Sequence, residues 1–155
     1  MKNYIGCKMV KAEKMSRGEY NLKRGWTIPA DENPDDAGYY LVYPDGYVSW
    51  SPKEVFEGAY MQLEDNKKLP SGVSIGQEMV DDFVALYETT TLGECTTVVR
   101  CVLRNGFTIV ESSSCVDPKN YSEEMGRDIC IGKIRDKIWE LLGFLLQTAV
   151  NGVNN

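Results

Sequence analysis

Thr96-Thr97-Val98-Val99-Arg100-Cys101-Val102-Leu103-Arg104-Asn105-Gly106-Phe107-Thr108-Ile109-Val110 is the stretch on which the fold turns. Thr96 to Arg104 is an unbroken run rich in β-branched residues, and Phe107 to Val110 is a second β-prone run. Asn-Gly between two such runs is the strongest short hairpin signal, because a two-residue turn wants positive φ at both central positions. Alternation puts Val98, Arg100, Val102 and Arg104 on one face of the first strand, and Cys101 and Leu103 on the other. Downstream, Met125, Ile129, Cys130, Ile134, Ile138, Leu141, Leu142, Leu145 and Leu146 trace a helical stripe over about 121 to 150. Asp117-Pro118 supplies a cap and a proline start on the approach to it. Upstream, Ile75, Met79, Val80, Phe83, Leu86 and Tyr87 recur at three- and four-residue spacing, which predicts an amphipathic helix of about three to four turns. The second half therefore reads helix, hairpin, long helix.

Working back toward the N-terminus, Glu64-Asp65-Asn66-Lys67-Lys68-Leu69-Pro70-Ser71-Gly72 has the composition of a linker. Before it, Tyr4 to Ala12 and Tyr39 to Tyr43 read as strands, and Pro44-Asp45-Gly46 turns the second into Tyr47-Val48-Ser49-Trp50. Ser51-Pro52-Lys53-Glu54 predicts a helix over 51–61, with Ser51 as cap, Pro52 in the first turn and Glu54 completing a capping box. Val55, Phe56, Ala59 and Tyr60 supply its apolar face. Asp31 to Gly38 is rich in turn formers and reads as irregular. The expectation is an α+β chain in two parts. Residues 1–63 form a small antiparallel sheet closed by a short helix, 64–72 link, and 73–155 hold a helix, a β-hairpin and a long C-terminal helix.

Composition limits the function. The 155 residues are 43% hydrophobic and 26% charged, the balance of a folded chain. No apolar run approaches the roughly 18 residues of a membrane span; the greasiest stretch, Leu141 to Val150, is broken by Gly143, Gln147 and Thr148. No signal peptide is evident at Met1-Lys2-Asn3-Tyr4, so a cytosolic location without a membrane partner is expected. A net charge of -6 argues against duplex nucleic acid as partner, since such binding neutralises many phosphates. There is no histidine, which removes Ser-His-Asp and Cys-His hydrolases and His-based zinc sites. Cys7, Cys95, Cys101, Cys115 and Cys130 contain no Cys-x-x-Cys and read as buried thiols. The acidic loop starting at Asp31 fails as a calcium loop, with Asp36 where glycine is needed and Val42 where glutamate is needed. The expectation is a binding protein: no enzyme, no catalytic residues, no metal and no cofactor.

A small phosphorylated ligand needs only a local cluster of positive charge. Arg17-Gly18-Glu19-Tyr20 and Lys23-Arg24-Gly25-Trp26 are such a cluster: guanidinium forks match phosphate oxygens, and an aromatic face stacks a purine. Trp50 ends the strand before the expected helix, and Lys53 lies in that helix's first turn, where free N–H groups favour an anion. In the second half Arg104 sits on the hairpin, and Lys119-Asn120-Tyr121 precedes the long helix. The candidate ligand-binding set is thus Arg17, Tyr20, Arg24, Trp26, Trp50, Lys53, Arg104, Lys119, Asn120 and Tyr121. The bland alternative is solvated arginines around core aromatics. No phosphate loop and no dinucleotide fingerprint is present.

Two resemblances rest on these motifs. Leu103-Arg104-Asn105-Gly106-Phe107, Asp117-Pro118-Lys119-Asn120-Tyr121 and Lys137-Ile138-Trp139-Glu140-Leu141 resemble a family of small accessory proteins from tailed phages and prophages, a compact α+β unit of unassigned role. Tyr4-Ile5-Gly6, Arg17-Gly18-Glu19-Tyr20-Asn21, Arg24-Gly25-Trp26 and Tyr47-Val48-Ser49-Trp50-Ser51-Pro52-Lys53 resemble a phage module that also occurs ahead of Thoeris anti-defence domains. The second resemblance implies a sponge, a protein that binds cyclic nucleotide or cyclic ADP-ribose immune signals, such as those of CBASS and Thoeris, without cleaving them. The expected function is a phage anti-defence protein sequestering a nucleotide-derived signal in the host cytoplasm of an infected bacterium. It is expected to act as a homo-oligomer, because so long a helix in so short a chain leaves apolar surface for another subunit. The alternative is a protein–protein inhibitor of a host defence enzyme, favoured by the acidic charge.

Overall fold

The computed structural model describes residues 1–153. It comprises two compact units, Met1–Gln62 together with the segment from Thr148, and Leu63–Gln147. The α+β class and the long C-terminal helix are as expected.

In the first unit, β1 (Lys11–Lys14), β2 (Gly38–Val42) and β3 (Val48–Pro52) form an antiparallel sheet in that order. Strand β1 is shorter and later than the expected Tyr4–Ala12 run, and residues 4–10 carry no regular structure. Helix α1 (Arg17–Lys23) lies between the two expected strands, where the sequence reading places no helix. Ser16 caps it: its Oγ accepts from the Glu19 N–H, while the Glu19 carboxylate accepts from the Ser16 N–H at 2.7 Å, a reciprocal capping box. Its end is fixed by Gly25, which sits at φ 70°. The Gly25 N–H donates to the Leu22 carbonyl and the Trp26 N–H to the Asn21 carbonyl, a Schellman closure that needs a left-handed residue. Helix α2 (Lys53–Ala59) starts two residues later than expected. Ser51 and Pro52 belong to β3 instead, and no side chain caps the helix. Alternation along β2 places Tyr40 toward α1 and Tyr39 toward α2, so each helix covers its own face of the sheet.

The second unit opens with a two-residue ladder, β4 (Glu64–Asp65) against β5 (Val73–Ser74). The segment expected as a linker therefore begins in a strand and turns back to pair with the next one. Glu64 Oε1 also accepts from the Met79 N–H at 3.3 Å. Helix α3 spans only Gln77–Asp82. The expected continuation through Leu86 and Tyr87 is overturned, because Val84–Leu92 is strand β6. Tyr87 and the β-branched run Thr89-Thr90-Thr91 pair with β7 (Thr96–Leu103), and alternating burial replaces helical periodicity. Strand β8 (Thr108–Ser114) completes an antiparallel sheet ordered β6-β7-β8, where a two-stranded hairpin was expected.

The hairpin between β7 and β8 forms, but with a three-residue loop, Arg104 to Gly106. Leu103 N–H donates to the Phe107 carbonyl and Gly106 N–H to the Leu103 carbonyl, both at 2.8 Å. Gly106 has φ 83° while Asn105 does not have positive φ, so the two-residue turn expected from Asn-Gly gives way to a turn followed by a left-handed glycine. Asn105 Oδ1 accepts instead from the Phe107 N–H at 3.0 Å.

After a 3-10 turn at Pro118–Asn120, helix α4 runs from Glu123 to Asn151. Asp117 caps the 3-10 turn, through the Lys119 N–H at 2.9 Å. The helix itself is capped by Ser122, whose Oγ accepts from the Met125 N–H at 3.2 Å. Cys130, Ile131, Ile134, Ile138 and Leu142 pack against Val99, Cys101, Leu103, Ile109, Met79 and Val80 as one core. The rest of the predicted stripe divides: Met125, Ile129, Leu141 and Leu145 are exposed.

Candidate functional site

Helix α1 gathers most of the first-half candidates. Residues 17, 20, 21 and 24 fall on one face at helical spacing, and that face lies over Tyr40 and Trp50 of the sheet. Within it the candidates form two clusters of different character.

The first cluster is closed upon itself. The Arg17 guanidinium lies 5.0 Å from the centre of the Trp50 ring. Its fork donates to Glu32, Nε to Oε2 at 2.8 Å and Nη2 to Oε1 at 2.5 Å, with both side chains only 28% exposed. The buried Asn21 amide donates to the same carboxylate at 3.1 Å. These two donors, Arg17 first, hold the Glu32 carboxyl down at about 2. The Trp50 indole N–H donates to the Met15 carbonyl at 2.8 Å. Backbone bonds from Met15, Arg17 and Gly18 to the carbonyls of Gly38, Asp36 and Pro34 fasten the acidic loop to the start of α1. Arg17 and Trp50 therefore spend their recognition groups inside the fold. Glu32, read from the sequence as part of a solvated loop, is the residue that engages Arg17.

The second cluster is open. Arg24 carries its guanidinium 5.0 Å from the centre of the Trp26 ring, and that ring is 51% exposed. The buried Tyr20 meets Trp26 edge-on at 5.9 Å and 90°, and meets Tyr40 at 6.2 Å. No carboxylate pairs with Arg24 among the described residues. The neighbouring Lys23 stands 4.0 Å over the Tyr40 ring and is paired with Glu13 at 3.1 Å. The geometry is a half-exposed indole braced from below, with a guanidinium free to meet an anion.

Lys53 is not part of either cluster. It lies on the α2 side of the sheet, in an open groove of about 330 Å³ with Lys14, Glu19, Asp35 and Tyr39. Two lysines there face two carboxylates, so the groove has no surplus of positive charge. Beside it Tyr39, Phe56 and Tyr60 stack in series, at 4.1 and 4.8 Å between centres. The Tyr39 hydroxyl donates to Glu57 at 2.8 Å, which pushes the phenol up.

In the second unit the candidates are far apart. Tyr121 hydroxyl is bonded to Thr91 Oγ1 at 2.7 Å and to the fully buried Thr97 Oγ1 at 3.0 Å, at the start of β7. Arg104 follows the other end of that strand, roughly 23 Å away at about 3.3 Å per residue. Tyr121 is thus tied to the sheet, and Lys119 and Asn120 form the exposed 3-10 turn before it. No small ligand spans both ends. Arg100, beside Arg104 in the sequence pattern, is paired with Glu88 at 2.5 Å.

The second unit is a small α+β domain, a three-stranded antiparallel sheet backed by one long helix. Residues 74–150, from β5 to the last turn of α4, match the model of the Phage protein (N4 Gp49/phage Sf6 gene 66) family. Over that half the chain is similar to a phage protein family, which supports a phage accessory protein. No curated protein and no solved structure matches the chain. Among the described residues no helix is long and apolar enough to cross a membrane.

Proposed function

We propose that this chain is a phage anti-defence protein that binds and sequesters a small nucleotide-derived immune signal, of the cyclic oligonucleotide or cyclic ADP-ribose type. It acts in the cytoplasm of the infected bacterium and returns the signal uncleaved. The observation that carries this reading is the Arg24–Trp26 pair: an exposed indole for a base beside a guanidinium that no carboxylate neutralises among the described residues. The resemblance of the first half to the module found ahead of Thoeris anti-defence domains, and the match of the second half to a phage family, support the same reading. Enclosing a ligand of that size is hard for a small monomer, so the protein functions as a homo-oligomer. Met125 and Ile129 on α4 supply exposed apolar surface toward that assembly.

The test is a thermal melt against a panel of cyclic dinucleotides, cyclic trinucleotides and cyclic ADP-ribose isomers. One class raises the melting temperature, by an amount equivalent to about 2.7 kcal/mol at a hundred times its dissociation constant. Arg24→Ala and Trp26→Ala each abolish most of the shift, because the phosphate loses a charge-assisted partner and the base its stacking face. Asp35→Ala leaves the shift in place. A flat response across the whole panel overturns the proposal and favours the inhibitor of a host defence enzyme.

A further inference from the structure

The cysteines of the second unit fall into two settings. Cys101 and Cys130 are wholly buried in its core, and burial pushes both thiols up. Cys95 and Cys115 are partly exposed and stand together at the edge of the same sheet. Strands β7 and β8 pair Thr96 with Ser114, so the next antiparallel pair outward is Cys95 with Cys115. From the turn between β6 and β7, the Cys95 carbonyl accepts from the Cys115 N–H at 3.0 Å. Opposed residues of an antiparallel pair are about 4.5–5.5 Å apart at Cα, which lies inside the roughly 4.4–6.8 Å range over which a disulfide closes. Burial first, and then the neighbouring Cys115 side chain, push the Cys95 thiol up.

We propose that Cys95 and Cys115 form a redox-active dithiol that closes reversibly to an intramolecular disulfide when met by a low-molecular-weight disulfide. One thiol of the pair, as thiolate, attacks a sulfur of glutathione disulfide; the glutathione S–S bond breaks and one glutathione thiolate leaves. The second thiolate attacks the protein-side sulfur of the mixed disulfide and expels the second glutathione. Two protein thiols are oxidised, one glutathione disulfide is reduced to two glutathione thiols, and the two protons pass to those thiols. The site bears on the fold because the Cys115 thiol donates to the Asp117 carbonyl at 3.2 Å, and Asp117 caps the turn leading to α4. Oxidation removes that donor and instead staples the start of this connection to β7.

The experiment treats the full chain with excess glutathione disulfide, quenches with acid and maps the peptides by mass spectrometry. The expected product contains a linked Cys95–Cys115 peptide, with the buried Cys101 and Cys130 still titratable as thiols after denaturation, and dithiothreitol restores all five cysteines. With Cys95→Ser no such link forms, and Cys115 stops at the glutathione adduct. Stable separate adducts on Cys95 and Cys115 of the unaltered chain, or labelling that falls equally on Cys101 and Cys130, overturn the proposal.

Discussion

Tyr43-Pro44-Asp45-Gly46-Tyr47 in the first unit and Leu103-Arg104-Asn105-Gly106-Phe107 in the second close their hairpins with the same set of bonds. In each, the first residue's N–H donates to the last residue's carbonyl. In each, the glycine N–H reaches back to the first carbonyl and the Asp or Asn oxygen accepts from the last N–H. Gly46 and Gly106 share φ 83°. Behind these matching turns the two sheets are used in opposite ways. The second unit buries eleven apolar side chains in one cluster under α4, each worth about 1.5–3 kcal/mol when fully buried. The first unit buries only Tyr20 and Leu41 among the described apolar side chains. Tyr39, Tyr40, Tyr43, Trp50, Phe56 and Tyr60 are half-buried and Trp26 and Tyr47 exposed, and these rings are held by cations, ring contacts and hydrogen bonds. One sheet is therefore organised to hold a helix, and the other to present aromatics and cations at a surface.

That contrast predicts different sensitivities. Ile138→Ala removes a fully buried side chain from the centre of the α4 face and costs about 2–5 kcal/mol, read as a lowered denaturant midpoint. A loss below about 1 kcal/mol would mean that the aliphatic cluster does not carry the second unit. Gly38→Ala is the corresponding change in the first unit. A Cβ there would stand 2.3 Å from the Trp50 ring and 2.4 Å from the Ser51 carbonyl oxygen, so about 1–3 kcal/mol is lost to overpacking. The near-ultraviolet circular dichroism of the tryptophans changes with it, whereas Ile138→Ala lowers the midpoint without that local signature.

The smallest effect is confined to acid. Arg17, then Asn21, lowers the Glu32 carboxyl from its ordinary 4.5 to about 2 in the folded chain. A depressed carboxyl contributes stability that is present above 4.5 and is lost as pH falls toward 2. Melting temperature followed over that window falls more steeply for the unaltered chain than for Glu32→Gln, and above pH 6 the two run parallel. Equal slopes would show that the Arg17–Glu32 fork contributes nothing to the first unit.

The sequence made the second hairpin and the long helix legible because both are local patterns: two β-prone runs around Asn-Gly, and one apolar stripe. It misplaced β6 because Phe83, Leu86 and Tyr87 continue the spacing of α3, while the strand is decided by non-local pairing with β7. Helix α1 was overlooked although Ser16-Arg17-Gly18-Glu19 is a capping-box pattern with Gly25 as its stop. Once that helix is in place, Arg17, Tyr20, Asn21 and Arg24 share a face and the basic-aromatic cluster becomes a surface with geometry. The sequence could not separate Arg17 from Arg24, because the difference lies in Glu32, which is distant in the chain and arrives through a loop fastened by backbone bonds. The same kind of distance keeps Tyr121 at work inside the second sheet, where Thr91 and Thr97 hold its hydroxyl.

Retention and recovery of the signal tests the central claim most directly. The chain is dialysed to equilibrium against a mixture of radiolabelled cyclic dinucleotides, cyclic trinucleotides and cyclic ADP-ribose isomers, then heated to denature it, and the released label is chromatographed. The prediction is that one class is retained at near-stoichiometric amount and elutes chemically unchanged, and that Arg24→Ala or Trp26→Ala loses most of it while Lys119→Ala does not. Retention of none of them, or release of a cleaved product, would contradict it.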